Sequence, residues 1–308
     1  MRYQRFSGRI SLCLVICVGF IHGLVYVFLV PPWQHNDEPN HFEYAWLAAH
    51  RSSLPISTDF DPVLSRTVMT SMVKNHFFDG MVYFPDLSSS QPIRIIGYSQ
   101  LSDPPLYYLI ASIPLRLIHL IHPNGSIETQ LFIARLASLG FLLVVLLATW
   151  GLVRELTVAA SPLRWLTPLT LALWPGFIDM MSAVTNIAGA VAFFSLFTWF
   201  CARLIRRGLN WLDGSTGILC AAACVWTLPM GFFAVPLFGL ALLFAIFRNH
   251  WRPVAWGVVF LGACAFFLAL LTWGDADLWY RETWQVEPVA TLSKNAKATK
   301  LSCKHALN

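Results

Sequence analysis

Asp37 and Glu38 stand side by side in the stretch Pro-Pro-Trp-Gln-His-Asn-Asp-Glu-Pro-Asn-His-Phe-Glu-Tyr, residues 31–44, directly after the first long apolar run. Adjacent carboxylates can do proton work, because an ionised carboxylate takes the proton from a hydroxyl as its oxygen attacks. Pro31 and Pro32 cannot continue the preceding helix and so end it. Pro39 suits the first position of the next helix, which predicts Glu38 as its N-cap and Asp37 just outside. The helix dipole there keeps a carboxylate ionised. His41 follows Asp37 by four residues, so a helical turn brings the two within reach. The competing reading is plain capping, in which the acids only satisfy free N–H groups. Position favours chemistry: the pair marks the change from apolar to polar chain and heads an aromatic helical stripe through Phe42 and Trp46.

A second constellation, Asp103-Pro104-Pro105-Leu106-Tyr107-Tyr108, returns the chain to an apolar stretch ending at Ile121. Pro-Pro before such a stretch is also a helix-start signal. Here it brings an acid and two tyrosines back to the boundary that holds the first pair.

The elements that must position these groups are membrane helices. The chain of 308 residues is 56% hydrophobic and 12% charged, too apolar for an ordinary soluble domain. Its runs approach the length of a bilayer crossing, and thirteen tryptophans suit the interface. The net charge of +5 comes mostly from short connections between runs, which excludes a nucleic-acid footprint. Seven cysteines form neither a metal pattern nor a disulfide framework; six lie in or at the end of apolar runs, as small buried apolar residues.

Residues 1–30 supply three arginines and then the first span, Ile10–Val30, a retained anchor rather than a cleaved leader. Residues 31–121 form an outer loop with juxtamembrane helices, 122–274 a helical core, and 275–308 an outer C-terminal segment. The loop before residue 104 holds eight of the sixteen acids, and a segment this long is more often functional than connecting. Further runs cover 131–153, 163–174, 177–200, 216–228, 231–247 and 254–273, with turns at Pro175-Gly176 and Pro229. Arginines cluster in three connections, Arg154 with Arg164, Arg203 with Arg206 and Arg207, and Arg248 with Arg252. The positive-inside rule assigns these and the N-terminus to the cytoplasm. That pairing requires residues 104–121, which include Arg116, to lie at the interface. The fold expected is an all-α polytopic membrane protein with about seven transmembrane helices plus interfacial helices in the long first outer loop.

The order Pro-x-x-x-x-Asp-Glu-Pro-x-His-Phe after the first span, then Pro-Pro-Leu-Tyr-Tyr, resembles the GT-C class of membrane glycosyltransferases. The likeness is to the aminoarabinose and protein O-mannosyl transferase branch and to related bacterial membrane proteins. It covers 10–274 in layout, but only 31–46 and 103–108 in motif. The resemblance implies transfer of a sugar from a polyprenyl-phosphate carrier to a glycan, lipid or protein acceptor, on the outer face of a bacterial inner or plasma membrane. It makes Asp37 the catalytic base with Glu38 beside it, supported by His41, Asp103 and Tyr107. Arg51, Lys74, His76 and Arg94 become the candidates for the carrier phosphate, which as a leaving group needs cationic help. A divalent metal held by the acids with His35 or His41 is left open. Thr185-Asn186 is similar to an Asn-Asp step of that class, with Ile187 in the second place; Thr227-Leu228-Pro229 stands where relatives carry a lysine. Members are commonly longer, so an inactive remnant is one alternative. A transporter or polysaccharide-assembly subunit is another, and it requires ionisable groups lining a path through the spans. Arg116, Arg135, His22 and Asn186 are the notable polar groups within the runs.

Overall fold

The computed structural model describes residues 2–81, 84–89 and 91–247, and the expected run 254–273 and tail 275–308 lie outside them. The described residues are helical and contain no strand. Four helices are long and apolar enough to cross a membrane: Ile10–Leu29, Ile127–Leu156, Asn186–Arg207 and Pro229–Ile246.

α1 (Arg2–Leu29) and α5 (Ile127–Leu156) form the central pair. Val15, Gly19, Gly23 and Val27 make one stripe on α1, a step of four that keeps to one helix face. A Cβ on Gly19 would come within 2.4 Å of Leu146 Cδ1, and one on Gly23 within 2.3 Å of Leu139 Cδ1. The two glycines therefore admit leucines of α5 where any side chain would collide, the small-xxx-small device of membrane helices. These contacts pair early residues of α1 with late residues of α5, so the helices are antiparallel. The opposite face of α1 exposes Leu14, Ile21, Val25 and Phe28, as a lipid-facing surface would. Cys13 and Cys17 are exposed on α1, contrary to the burial expected of them, whereas Cys201, Cys220 and Cys224 are buried.

α6 (Leu163–Leu173), α7 (Pro175–Ser182) and α8 (Asn186–Arg207) pack against this pair, and α9 (Trp211–Val225) and α10 (Ala234–Ile246) pack on α8 as a second cluster. α10 follows directly on a single 3-10 turn, Pro229–Phe233. The reversal expected at Pro175-Gly176 is only a break. Trp174 is extended and Pro175 begins α7, where a missing N–H does no harm; the chain turns back at 183–185. Thr185 then caps α8 by accepting from Ile187 N.

The segment 31–121 is more ordered than the sequence suggests. It contains α2 (Glu38–His50), α3 (Pro62–Lys74) and α4 (Leu106–Ile121). α3 is started by Asp61, which accepts from Val63 N and Leu64 N, with Pro62 behind it. Arg66 on α3 donates to Leu87 O, Ser89 O and Gln91 O and so fastens the following loop. α4 starts level with Ser138 on α5, where Tyr107 Oη lies 2.8 Å from Ser138 Oγ. It ends at His122, in the turn that leads into α5. It thus runs beside the first part of α5 only. Arg116 is exposed as a residue, but its Nη2 donates to Ala48 O at 2.6 Å, closing the end of α2.

Candidate active site

The two adjacent acids take opposite roles. Glu38 is fully buried and forms a two-pronged pair with Arg135 of α5, Nε to Oε1 at 2.8 Å and Nη2 to Oε2 at 2.7 Å. Fork-to-fork geometry of this kind is what guanidinium and carboxylate do best. Arg135 also donates to Val27 O, Val30 O and Pro31 O, the open carbonyls where α1 ends. Val184 N adds a longer contact to Glu38 Oε1 at 3.3 Å. Glu38 therefore binds α1, α2, α5 and the turn before α8 into one unit.

Asp37 is exposed and holds no such partner. It is the residue that caps α2, one place earlier than expected, through its backbone carbonyl, which accepts from Asn40 N and His41 N. Its side chain makes no capping bond, and Asn36 Nδ2 donates to its Oδ2 at 3.0 Å. The capping account of this carboxylate thus fails, since the main chain does that work. Asp37 sits at φ 52°, in the left-handed region that Asp and Asn tolerate better than most residues. The left-handed turn sends the chain sharply into α2, so Glu38 faces inward and Asp37 outward.

His41 does not meet Asp37. Its Nδ1 lies 2.8 Å from Tyr108 Oη, and Tyr108 in turn donates to Asp103 Oδ2 at 3.1 Å. Since the phenol has one proton, His41 donates through Nδ1. Asn186 Nδ2 reaches the same Asp103 oxygen at 2.8 Å, and Tyr44 stacks on Tyr108 with ring centres 3.9 Å apart. Burial lowers the His41 imidazole to about 4, so it is neutral. Burial raises Asp103 to about 6, against the opposing pull of its bonds to Tyr108 and Asn186. Tyr107 belongs to the adjoining layer, where Thr185 N donates to its hydroxyl at 2.9 Å. The structure therefore joins His41, Asp103 and Tyr108 into one polar chain that Asn186 completes. In the sequence Asn186 stands out as a polar residue in an apolar run and through the likeness of Thr185-Asn186 to an Asn-Asp step, but nothing there ties it to Asp103.

His35 is buried beside the first pair, with Nδ1 3.4 Å from Asp179 Oδ1 of α7 and Nε2 without a partner. Burial is the main force lowering its pKa, with Arg135 acting the same way and Glu38 and Asp179 against it. Glu43, on α2, is also buried; desolvation raises it to about 7, and Ser65 Oγ donates to it at a long 3.5 Å.

The cations proposed for a phosphate do not gather at one point. Arg51 pairs with Asp59 at 2.5 Å, and Arg94 lies over the Phe60 ring at 4.7 Å. His76 meets Asp79, both exposed. Lys74 is largely exposed, its Nζ 3.9 Å from Glu128, and lines an open cleft of about 670 Å³ between α3 and the start of α5. Among the described residues no group of three or more His, Cys, Asp or Glu side chains is arranged to hold a metal ion. No known protein family matches this chain, and no curated protein or solved structure matches it either.

Proposed function

We propose that this chain is a membrane glycosyltransferase of the GT-C kind, acting at the end of the bundle that carries α2 and α4. Asp37 takes the proton of an acceptor hydroxyl, whose oxygen attacks the sugar carbon while polyprenyl phosphate departs with the bonding electrons, inverting the centre. The observation that carries the reading is the division of labour in the acidic pair. Glu38 is neutralised by Arg135, and its neighbour is exposed, makes no side-chain capping bond and has no cationic partner among the described residues. Glu38 thereby becomes a positioning residue, and the His41–Tyr108–Asp103–Asn186 chain holds α2 against α4 and α8. Lys74 is largely exposed, with its Nζ 3.9 Å from Glu128, and is the candidate to meet the carrier phosphate.

The topology proposed with it has seven crossings: α1, α5, α6 with α7, α8, α9, α10 and the run 254–273, with α4 kept on the outer side. The arginine-bearing ends of α5 and α8 then face the cytoplasm. A transporter would use the polar groups in its spans to line a path. Here each is bonded to protein: Arg135 to Glu38, Arg116 to Ala48 O, His22 to Ala172 O, Asn186 to Asp103. That favours the transferase.

The test is to incubate the purified full chain with labelled polyprenyl-phosphate sugars and follow loss of sugar from the lipid. Asp37→Asn retains the left-handed turn, because Asn tolerates it, and removes only the base. Transfer should fall by about 10²-fold or more with unfolding temperature unchanged. Undiminished transfer removes Asp37 from the reaction. Absence of cleavage in the wild type, across the carriers tested, leaves the inactive remnant as the better description.

A further inference from the structure

The opposite end of the bundle carries a second feature, independent of the transferase reading. The last turns of α5 and α8 and the start of α6 enclose a cleft of about 720 Å³. Arg154, Arg164, Arg203 and Arg207 line it together with Trp150 and Trp199, and Glu155 is the one carboxylate in its wall. Leu12 of α1, Leu147 of α5 and Leu196 of α8 continue the wall toward the middle of the bundle. The cleft therefore has a cationic mouth and an apolar floor.

Its charges are not cancelled. Glu155 is taken by Arg207, and Arg203 Nη2 is held at 2.8 Å by the buried Asp213 of α9. Arg164 spends its donors on Arg154 O, Thr157 O and the Thr157 hydroxyl, all uncharged. Arg154 has only the Trp150 ring, at 5.8 Å, and no carboxylate among the described residues. Trp199 Nε1 and Arg203 Nε are buried in the wall with no acceptor among the described residues, and the two carboxylate oxygens of Asp213, which pairs with Arg203, are likewise buried with no hydrogen-bond donor among them. Four arginines face one carboxylate in the wall, an excess of donors that suits a ligand that only accepts. Gly151 sets the shape: a Cβ there would come within 2.1 Å of Trp199 Cε2, so the indole lies directly on α5.

We propose that this cleft binds a lipid phosphate, a phosphate ester on an apolar chain, with the headgroup among the arginines and the chain along the leucines. Guanidinium forks match phosphate oxygens, and basic pockets between membrane helices hold anionic headgroups. Clustering arginines at the cytoplasmic side needs no cleft. A cleft whose apolar floor runs inward from the arginines calls for a ligand with both a charge and a tail.

The full chain, purified in a non-ionic detergent, is titrated separately with phosphatidylglycerol, phosphatidylcholine, a polyprenyl monophosphate and inorganic phosphate, and bound species are counted by native mass spectrometry. The expected result is retention of phosphatidylglycerol or the polyprenyl monophosphate over phosphatidylcholine by about tenfold. Which of the two is retained more tightly identifies the ester as diester or monoester. Arg154→Gln should weaken retention by about fivefold, with Arg154→Lys restoring most of it, since each cation near a headgroup is worth about that much. Equal retention of phosphatidylglycerol, polyprenyl monophosphate and phosphatidylcholine overturns the proposal. So does unchanged retention in a folded Arg154→Gln protein. Displacement of bound lipid by millimolar inorganic phosphate assigns the site to a free ion and equally overturns it.

Discussion

The two ends of the bundle treat charge in opposite ways. At the α2–α4 end, buried Glu38 is bonded to buried Arg135, buried His41 and Asn186 are joined through Tyr108 and the half-buried Asp103, and Asp37 is exposed with only Asn36 beside it. At the other end, arginines ring an open cleft with fewer carboxylates than cations. Buried charge must be paired, so most polar groups at the first end hold the fold together, and of the acidic pair only Asp37 is open to solvent. Surface charge near headgroups can stay unpaired, so there the cations remain free for a ligand. The contrast predicts that charge removal breaks the fold at one end and only a binding property at the other.

The largest effect on stability should follow Glu38→Gln, which strands Arg135 in the core. The expected cost is about 3–5 kcal/mol, read as a large fall in thermal unfolding temperature in detergent. A neutral result would mean that the pair is not sealed from water. Glu43→Gln comes next and is pH-dependent. Burial holds Glu43 near 7, above the usual 4.5 of a glutamate, so its contribution is fully present below about 4.5 and lost as pH rises through 7. Above pH ~8 the variant should be more stable than wild type by on the order of 2 kcal/mol, with the difference gone below pH ~5. Tyr108→Phe should cost about 1–3 kcal/mol, because both His41 Nδ1 and Asp103 lose a buried partner. The smallest effect on stability belongs to Arg154→Gln, within about 0.5 kcal/mol, because exposed charges contribute little to folding. A collapse of that variant would show that the arginine end is as closed as the acidic one.

Local signals in the sequence gave the helices away where chemistry and geometry coincide. Pro39 marks the start of α2, and the apolar runs 131–153 and 231–247 follow α5 and α10, whereas the run 177–200 joins α7 to α8 across the turn at 183–185. Asp61-Pro62 was an equally good start signal for α3, overlooked because the loop around it is polar. What no window of sequence contains is pairing at a distance. Arg135 lies 97 residues from Glu38, and nothing near either names the other. The same holds for Asn186 and Asp103, 83 residues apart. Pro39 points to Glu38 as the cap because proline suits the first helical position, whereas Pro39 stands second in α2 and the cap is Asp37, whose left-handed turn is a property of the folded main chain. The arginines were legible as orientation signals, but the cleft depends on how α5, α6 and α8 come together.

Arg135 also orders events during synthesis. The carbonyls it holds at residues 27, 30 and 31 leave the ribosome about a hundred residues before it does. The first helix can enter the bilayer alone, yet the turn bearing Asp37 stays unfastened until the fifth helix arrives to clasp it. Nascent chains stopped short of residue 135 should therefore show that turn open to protease, and chains extended past it should show it closed.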